Sequence, residues 1–349
     1  MKAFAHLGQG KAGWIDAPEP HARGDDAIVR PLIVSPCTSD VHNVAIGCIA
    51  PRRILGHEGI GEIVEIGERV TQFRVGDKVA IPATTPDWRA IPAQQGFPQH
   101  CQGLLTGNLL SNSEDGLFAE YALIRDADAN LAPLPRDVDP VAAVLAGDML
   151  NTGCYGAELA DIQLGDTVVV LGIGPVGLMA VAAAKQRGAG RIIAIGSRTS
   201  CIQAALDYGA TDIVNYKEGD ILRQVRELTK KQGADRCICA GGDENALNQA
   251  VSMVRWGGTV GNVNYFATYG DLPVNSVRWG FGMGNKTIRG GQCPGGRWRM
   301  EQMLNLIRYR RIDPLPLVTH VFHGLDAIPE AFRLMEEKPG QLIKTMVHI

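Results

Sequence analysis

The apolar positions of this chain fall into two rhythms. Up to about residue 150 they form short runs, "AIVRPLIV" (27–34), "GEIVEIG" (61–67) and "KVAIPA" (78–83), broken often by Gly and Pro. Short β-like runs between turn residues predict a compact, mostly β domain whose loops carry function. After Asp161 the pattern changes. β-branched runs such as "TVVVLG", "RIIAIG" and "DRCICA" alternate with stretches of helical period such as "GLMAVAAAKQRGA", "SCIQAALDYGA" and "DILRQVRELTKKQ". That alternation predicts an α/β domain with a doubly wound parallel sheet, closed by "KTIRGG" as its last strand. "GGRWRMEQMLNLIRYRRI" then reads as an amphipathic helix leading into a short β tail, "LVTHVF" and "IKTMVHI". Returning that tail to the first domain makes it discontinuous, residues 1–151 and 293–349, with 152–292 as the second domain.

A length of 349 residues exceeds what one hydrophobic core usually supports, in keeping with two domains. The composition, 45% hydrophobic and 20% charged, is that of a folded globular protein. A net charge of −3 with unclustered basic residues provides no field for nucleic acid or an anionic membrane. The opening "MKAFAHLGQGKAGW" lacks an apolar signal core, so the cytoplasm is the expected location. The uncharged run 167–184 approaches transmembrane length, but glycines and Pro175 interrupt it, and no membrane span is expected. The eight cysteines are scattered, with no CxxC pair, which fits a reducing compartment. Cys237 and Cys239, inside an apolar run, read as core thiols.

"VVVLGIGPVGL" places Gly172, Gly174, Pro175, Val176 and Gly177 directly between an apolar strand and a helical run. In that context GxGxxG is a dinucleotide fingerprint. The first Gly permits the tight turn, the second lets backbone approach a pyrophosphate, the third lets helix pack on strand, and the helix start offers free N–H groups. The next strand ends in Gly196-Ser197-Arg198, where an NAD site would place an Asp or Glu for the ribose hydroxyls. A small residue, a hydroxyl and a guanidinium suit a 2′-phosphate instead, so the expected cofactor is NADP(H). Tyr216 is placed to stack on the adenine edge or to cap its loop.

"PCTSDVH" (36–42) and "GHEGIGEIVEIGERV" (56–70) bring thiolate, imidazole and carboxylate donors, a set suited to zinc. By spacing alone Cys37 reads equally as a core thiol, a nucleophile or a ligand. The pattern GHE-x2-G-x5-G-x2-V, carried by Gly56, His57, Glu58, Gly61, Gly67 and Val70, resembles the zinc-containing medium-chain dehydrogenases. With "ILGHE", "AGDML", "IIAIGSR" and "CPGGR" the resemblance extends nearly end to end, and points to their bacterial NADP-linked secondary-alcohol branch. It implies a GroES-like catalytic domain, a Rossmann cofactor domain and a homotetramer. By that resemblance Cys37, His57 and Asp148 match the ligands of a catalytic zinc, and Glu58 a carboxylate that can take or leave the fourth position. Asp40 matches an acid that orients the metal-bound imidazole, and Ser39 and His42 match a proton relay. Asn264, Tyr265 and Lys338 match further cofactor contacts. The four-cysteine lobe of many relatives is absent, since residues 85–115 hold only Cys101, so one zinc per subunit is expected and no structural zinc.

The expected activity is hydride transfer between NADP(H) and a secondary alcohol or ketone, in a cleft between the domains. The alternatives are a polyol or amino-alcohol dehydrogenase of the same superfamily, or a non-catalytic, quinone-reductase-like NADPH-binding protein. Thr38 receives no role. Ile49, Ala83, Tyr265, Met283 and Cys293 match the family's small apolar pocket. Two positions depart from it: Asn108 stands where a Trp is usual, and Gln292 where a Leu is common. A roomier, more polar pocket should accept ketones bulkier than acetone. A kinetic panel checks this, and strong preference for small 2-alkanones over aryl or longer ketones refutes it.

Overall fold

The structure, a computed structural model, describes residues 1–103, 109–266 and 270–349. Asn108 lies outside the described residues. The chain divides into two compact units, Met1–Asn151 with Pro294–Ile349, and Thr152–Cys293. Cys293, expected to open the returning segment, instead ends the second unit.

The first unit is built on a mostly antiparallel sheet. Strand Ala27–Val34 pairs with Gly59–Ile66 and with Lys344–His348, and carries Ala122–Ile124 along its first residues. Lys78–Ile81 and Ala132–Pro133 continue the sheet on one side, and Val318–His323 closes the other, parallel to Lys344–His348. Pro31 cannot donate to a ladder, and the register with Gly59–Ile66 slips between Pro31 and Ile33. A separate two-stranded ribbon, Lys2–Gly8 with Lys11–Asp16, escaped the sequence reading. The core beneath holds Leu55, Ile63, Ile81, Leu117 and Phe118, all fully buried. Gly56 is required there. It sits at φ 91, and a Cβ on it would lie 2.3 Å from the Phe118 ring.

The second unit carries a six-stranded parallel sheet. In spatial order its strands are Asp212–Val214, Arg191–Ile195, Thr167–Leu171, Ala234–Cys239, Val254–Asn262 and Thr287–Gly290. Numbered along the chain this is 3-2-1-4-5-6, the order of a dinucleotide-binding fold. The apolar run 167–184 resolves into the central strand, the glycine turn and helix Pro175–Gln186, whose residues Gly177–Ala184 are buried. No helix among the described residues is long and apolar enough to cross a membrane. The helix opens with Pro175, whose missing N–H costs nothing at a first turn. It closes onto its strand at Gly177, where a Cβ would lie 1.8 Å from the Gly172 carbonyl oxygen. Backbone on both sides leaves no room to yield. Gly177→Ala should lower stability by about 1–3 kcal/mol, measured by urea unfolding.

Candidate metal and dinucleotide sites

Cys37 is the N-cap of helix Thr38–Ile46, and Asp40, three residues on, accepts the Cys37 backbone N–H at 3.1 Å. This box fixes how the loop enters the helix and where the thiol points. His57 and Glu58 end the turn that leads into strand Gly59–Ile66. Asp148 lies in a π-helical turn, Ala146–Leu150, between helices Pro140–Leu145 and Asn151–Leu159. Such turns carry an extra residue that redirects a side chain, and they favour functional sites.

These elements bring Cys37, His57, Glu58 and Asp148 together, with one donor atom from each within 4.8 Å of the others. Asp148 Oδ2 lies 3.2 Å from His57 Nε2 and 3.7 Å from Cys37 Sγ. In a tetrahedron with bonds of about 2.0 Å to N or O and 2.3 Å to S, the edges are about 3.3 Å for N to O and 3.5 Å for S to O. The two distances from Asp148 therefore match tetrahedral edges, and Cys37 Sγ and His57 Nε2 lie within the same 4.8 Å cluster. Glu58 Oε1 is farther out, 4.0 Å from His57 Nε2, while Glu58 Oε2 is buried with no hydrogen-bond partner. A divalent cation of zinc's size and ligand preference fits this donor set.

Asp40 is fully buried and collects four donors. Besides the Cys37 N–H, its Oδ1 accepts from Gly56 N at 3.3 Å, His57 Nδ1 at 3.2 Å and Ser111 Oγ at 2.5 Å. Burial alone would raise its pKa, but the His57 charge and these bonds outweigh burial and hold it below the usual carboxylate range. Burial likewise opposes a charged His57, yet the Asp40 charge and the bonds to Asp148, Asp40 and Cys37 raise it well above its ordinary value. The surplus negative charge draws positive charge to the imidazole.

The sequence reading missed Lys344. Its side chain is wholly buried, and Nζ donates to the Pro36 carbonyl at 3.0 Å and to Glu58 Oε1 at 2.5 Å. Burial pushes Glu58 up to about 7 even with Lys344 pulling it down. Burial also works against the Lys344 ammonium, but Glu58 and then Cys37 outweigh it and keep it protonated. A lysine in the middle of "LIKTMVHI" was the available signal, because an unpaired lysine almost never lies at a buried position. Ser39 Oγ lies 3.4 Å from His57 Nε2. His42 follows one turn along the same helix, its pKa lowered by burial and by nearby Lys338. Ile49 and Ala83 are buried in the first unit, Ile49 in its main apolar cluster.

In the second unit, Gly172–Gly177, Gly196–Arg198, Tyr216 and Asn264–Tyr265 all follow C-terminal strand ends, where ligands of parallel sheets bind. A Cβ placed on Gly174 would lie 3.9 Å from Nη2 of Arg198, which puts the guanidinium beside the second glycine. The Ser197 hydroxyl is buried with no partner. An orphaned hydroxyl and a guanidinium next to the glycine turn fit a phosphate, and Val176 sits in the first helical turn that faces it. Asn264 Nδ2 donates to the Gly242 carbonyl at 3.4 Å, and Tyr216 and Tyr265 are about half exposed. Gln292 Oε1 is buried without a partner, and Cys293 is buried. Lys338 belongs to the first unit, beside His42. Met283 departs from expectation. It is 79% exposed near Trp256, at the end of the sheet where strands begin, opposite the glycine turn. The long return from Asn262 to Thr287 carries it there, away from Tyr265 and Cys293 at the other end of the same sheet.

Residues 23–136 match the alcohol dehydrogenase GroES-like domain family, and residues 175–308 the zinc-binding dehydrogenase family. Together with the geometry above, they define a two-domain dehydrogenase with a zinc-type donor set. The chain belongs to the zinc-containing medium-chain dehydrogenase superfamily, in its secondary-alcohol branch. It is 56% identical to an NADP-dependent isopropanol dehydrogenase of Thermoanaerobacter brockii and 55% identical to one of Clostridium beijerinckii, each match covering 99% of both chains. An alcohol dehydrogenase structure from Thermus sp. ATN1 superposes with a TM-score of 0.88 at 27% identity, covering 100% of both chains.

Lys344→Met strips Glu58 of its buried counter-charge and should cost about 3–5 kcal/mol in urea unfolding. Adding Glu58→Gln should recover most of that loss.

Proposed function

We propose that the protein is a zinc-dependent oxidoreductase that transfers hydride between NADP(H) and secondary alcohols or ketones. The observation that carries this is that Asp148 Oδ2 stands at tetrahedral-edge distances from both Cys37 Sγ and His57 Nε2, in a chain more than half identical to NADP-dependent isopropanol dehydrogenases. Cys37, His57 and Asp148 would hold the zinc, with Glu58 beside them and tied to Lys344. When bound, zinc supplies Lewis acidity toward an alcohol or carbonyl oxygen, and NADP(H) supplies or takes the hydride.

The remaining work belongs to side chains. Asp40 holds the His57 ring so that Nε2 faces the other donors. Ser39, at the ligand cluster, passes a proton along the helix to His42, its neighbour at i+3. His42 reaches solvent although neighbouring groups partly desolvate its ring, and its lowered pKa leaves it neutral at pH 7, able to accept that proton and release it to water. The Gly172–Gly177 turn takes the pyrophosphate, while Ser197 and Arg198 take the 2′-phosphate. Gln292 offers its unpaired amide oxygen to substrate, in keeping with a polar pocket.

The assembly is a homotetramer on this reading. Strand Thr287–Gly290 is a sheet edge with all four residues exposed, and Trp256, Phe281 and Met283 stand exposed nearby, which supports pairing with a second copy. A reducing cytoplasm suits eight cysteines that form no disulfide, since Cys37 must stay reduced to hold metal.

NADPH and NADH oxidation across a ketone panel, before and after zinc chelation, tests the proposal. Chelation should abolish turnover and added zinc restore it; turnover that ignores chelation sinks the metal mechanism. Arg198→Ala should raise KM for NADPH roughly tenfold to a hundredfold, the loss of one charged hydrogen-bond partner, with little change in kcat. Equal use of NADH by the unaltered protein refutes the 2′-phosphate assignment.

A further inference from the structure

We infer that Ser111 is a positioning residue for the metal centre: through Asp40, its hydroxyl holds the His57 imidazole in the orientation that presents Nε2 to the ion. The inference rests on the zinc reading above.

Three of the four donors to Asp40 come from the ligand-bearing segments themselves, the Cys37 N–H, the Gly56 N–H and the His57 ring. Ser111 is the fourth, delivered from 71 residues away, and its 2.5 Å bond is the shortest of the set. An ionised carboxylate only accepts, so the Ser111 hydroxyl must donate and the His57 contact must be an Nδ1–H. Once a metal ion replaces the proton on the ring, that fixes the tautomer whose Nε2 carries a lone pair. Oδ1 then holds three donors at once, leaving the carboxylate little freedom to swing and the ring little freedom to turn.

The turn that delivers Ser111 is anchored twice. Leu109 bridges Thr84, and the Leu110 N–H donates to the Ala83 carbonyl at 3.1 Å. Ser111 itself is 1% exposed and sits at φ 69, a left-handed conformation that glycine adopts freely and serine does not. A residue chosen for backbone comfort would be glycine. The hydroxyl is what serine adds, and its whole reach is spent on Asp40. The segment that packs on Ala83 and Thr84 is thus tied through Asp40 to the zinc ligand His57.

Two substitutions separate the hydroxyl from the backbone. Ser111→Gly removes the hydroxyl and relieves the left-handed strain, whereas Ser111→Ala removes the hydroxyl and keeps it. Zinc affinity of the full-length protein is measured by competition with a chromophoric chelator, and the visible spectrum is recorded after cobalt substitution. Both variants should bind zinc about 10- to 100-fold more weakly than the unaltered protein and shift the cobalt bands alike. Thermal melts of the metal-free proteins should show Ser111→Gly folded. Unchanged affinity in both variants, or loss in Ser111→Ala alone, overturns the assignment while the zinc reading stands. An unaltered protein that binds no zinc overturns both.

Discussion

Cys37, Asp40, Glu58 and Asp148 crowd four acidic groups into the interior of the first unit, against two cations, His57 and Lys344. Buried charge of one sign is tolerable only when paired or metal-bound, and the neighbouring structure is arranged around that constraint. Asp40 is satisfied by four donors, Glu58 by one ammonium, and Cys37 and Asp148 face each other across a spacing that a small divalent cation fills. Each acid is handled differently, and the difference supports the roles proposed for them. Asp40, saturated, can only orient. Glu58 keeps one oxygen unpaired and can move.

The same constraint accounts for the discontinuity of the first unit. Glu58 lies early in the chain and its counter-ion 286 residues later, on strand Lys344–His348. That strand pairs antiparallel with Ala27–Val34, next to the Cys37 loop, and Ser35 Oγ donates to the Thr345 carbonyl at 2.6 Å. The last segment of the chain thus does more than close a sheet. Without it the Glu58 carboxylate would sit in a dry interior with no cation but the imidazole of a neighbouring ligand. Lys344 also holds Glu58 Oε1, so that this oxygen would have to leave the ammonium before it could serve a metal ion.

Legibility from sequence followed the reach of each signal. The strand and helix rhythms, the GxGxxG turn and the GHE segment are local, and the elements fall where period and punctuation place them. Asp148 was reached only through resemblance, because a π-turn inside "LAGDMLNTG" leaves no mark on periodicity. Ser111, in "SNSED", reads as an ordinary turn serine until the fold brings Asp40 to it. Met283 went the other way: resemblance put it in the pocket, but the return from one end of the sheet to the other carries it off. What the sequence hid were contacts across tens or hundreds of residues, whose energies depend on burial that no single window contains.

The second unit solves its electrostatic problem by opposite means. A chain of net charge −3 offers no general attraction to a dinucleotide's phosphates, so binding must be built locally from dipoles and one guanidinium. The glycine turn supplies backbone N–H groups at a helix start, and Arg198 stands over Gly174 where a carboxylate would repel a 2′-phosphate. Ser197 adds a buried hydroxyl with nothing else to bond. Fixed dipoles and a single charge bind a polyanion without strong field elsewhere, and so discriminate by position rather than by total charge. In the first unit, by contrast, surplus charge does the selecting. A small divalent cation shared by Cys37, His57 and Asp148 would relieve it, and a proton on His57 is the weaker substitute.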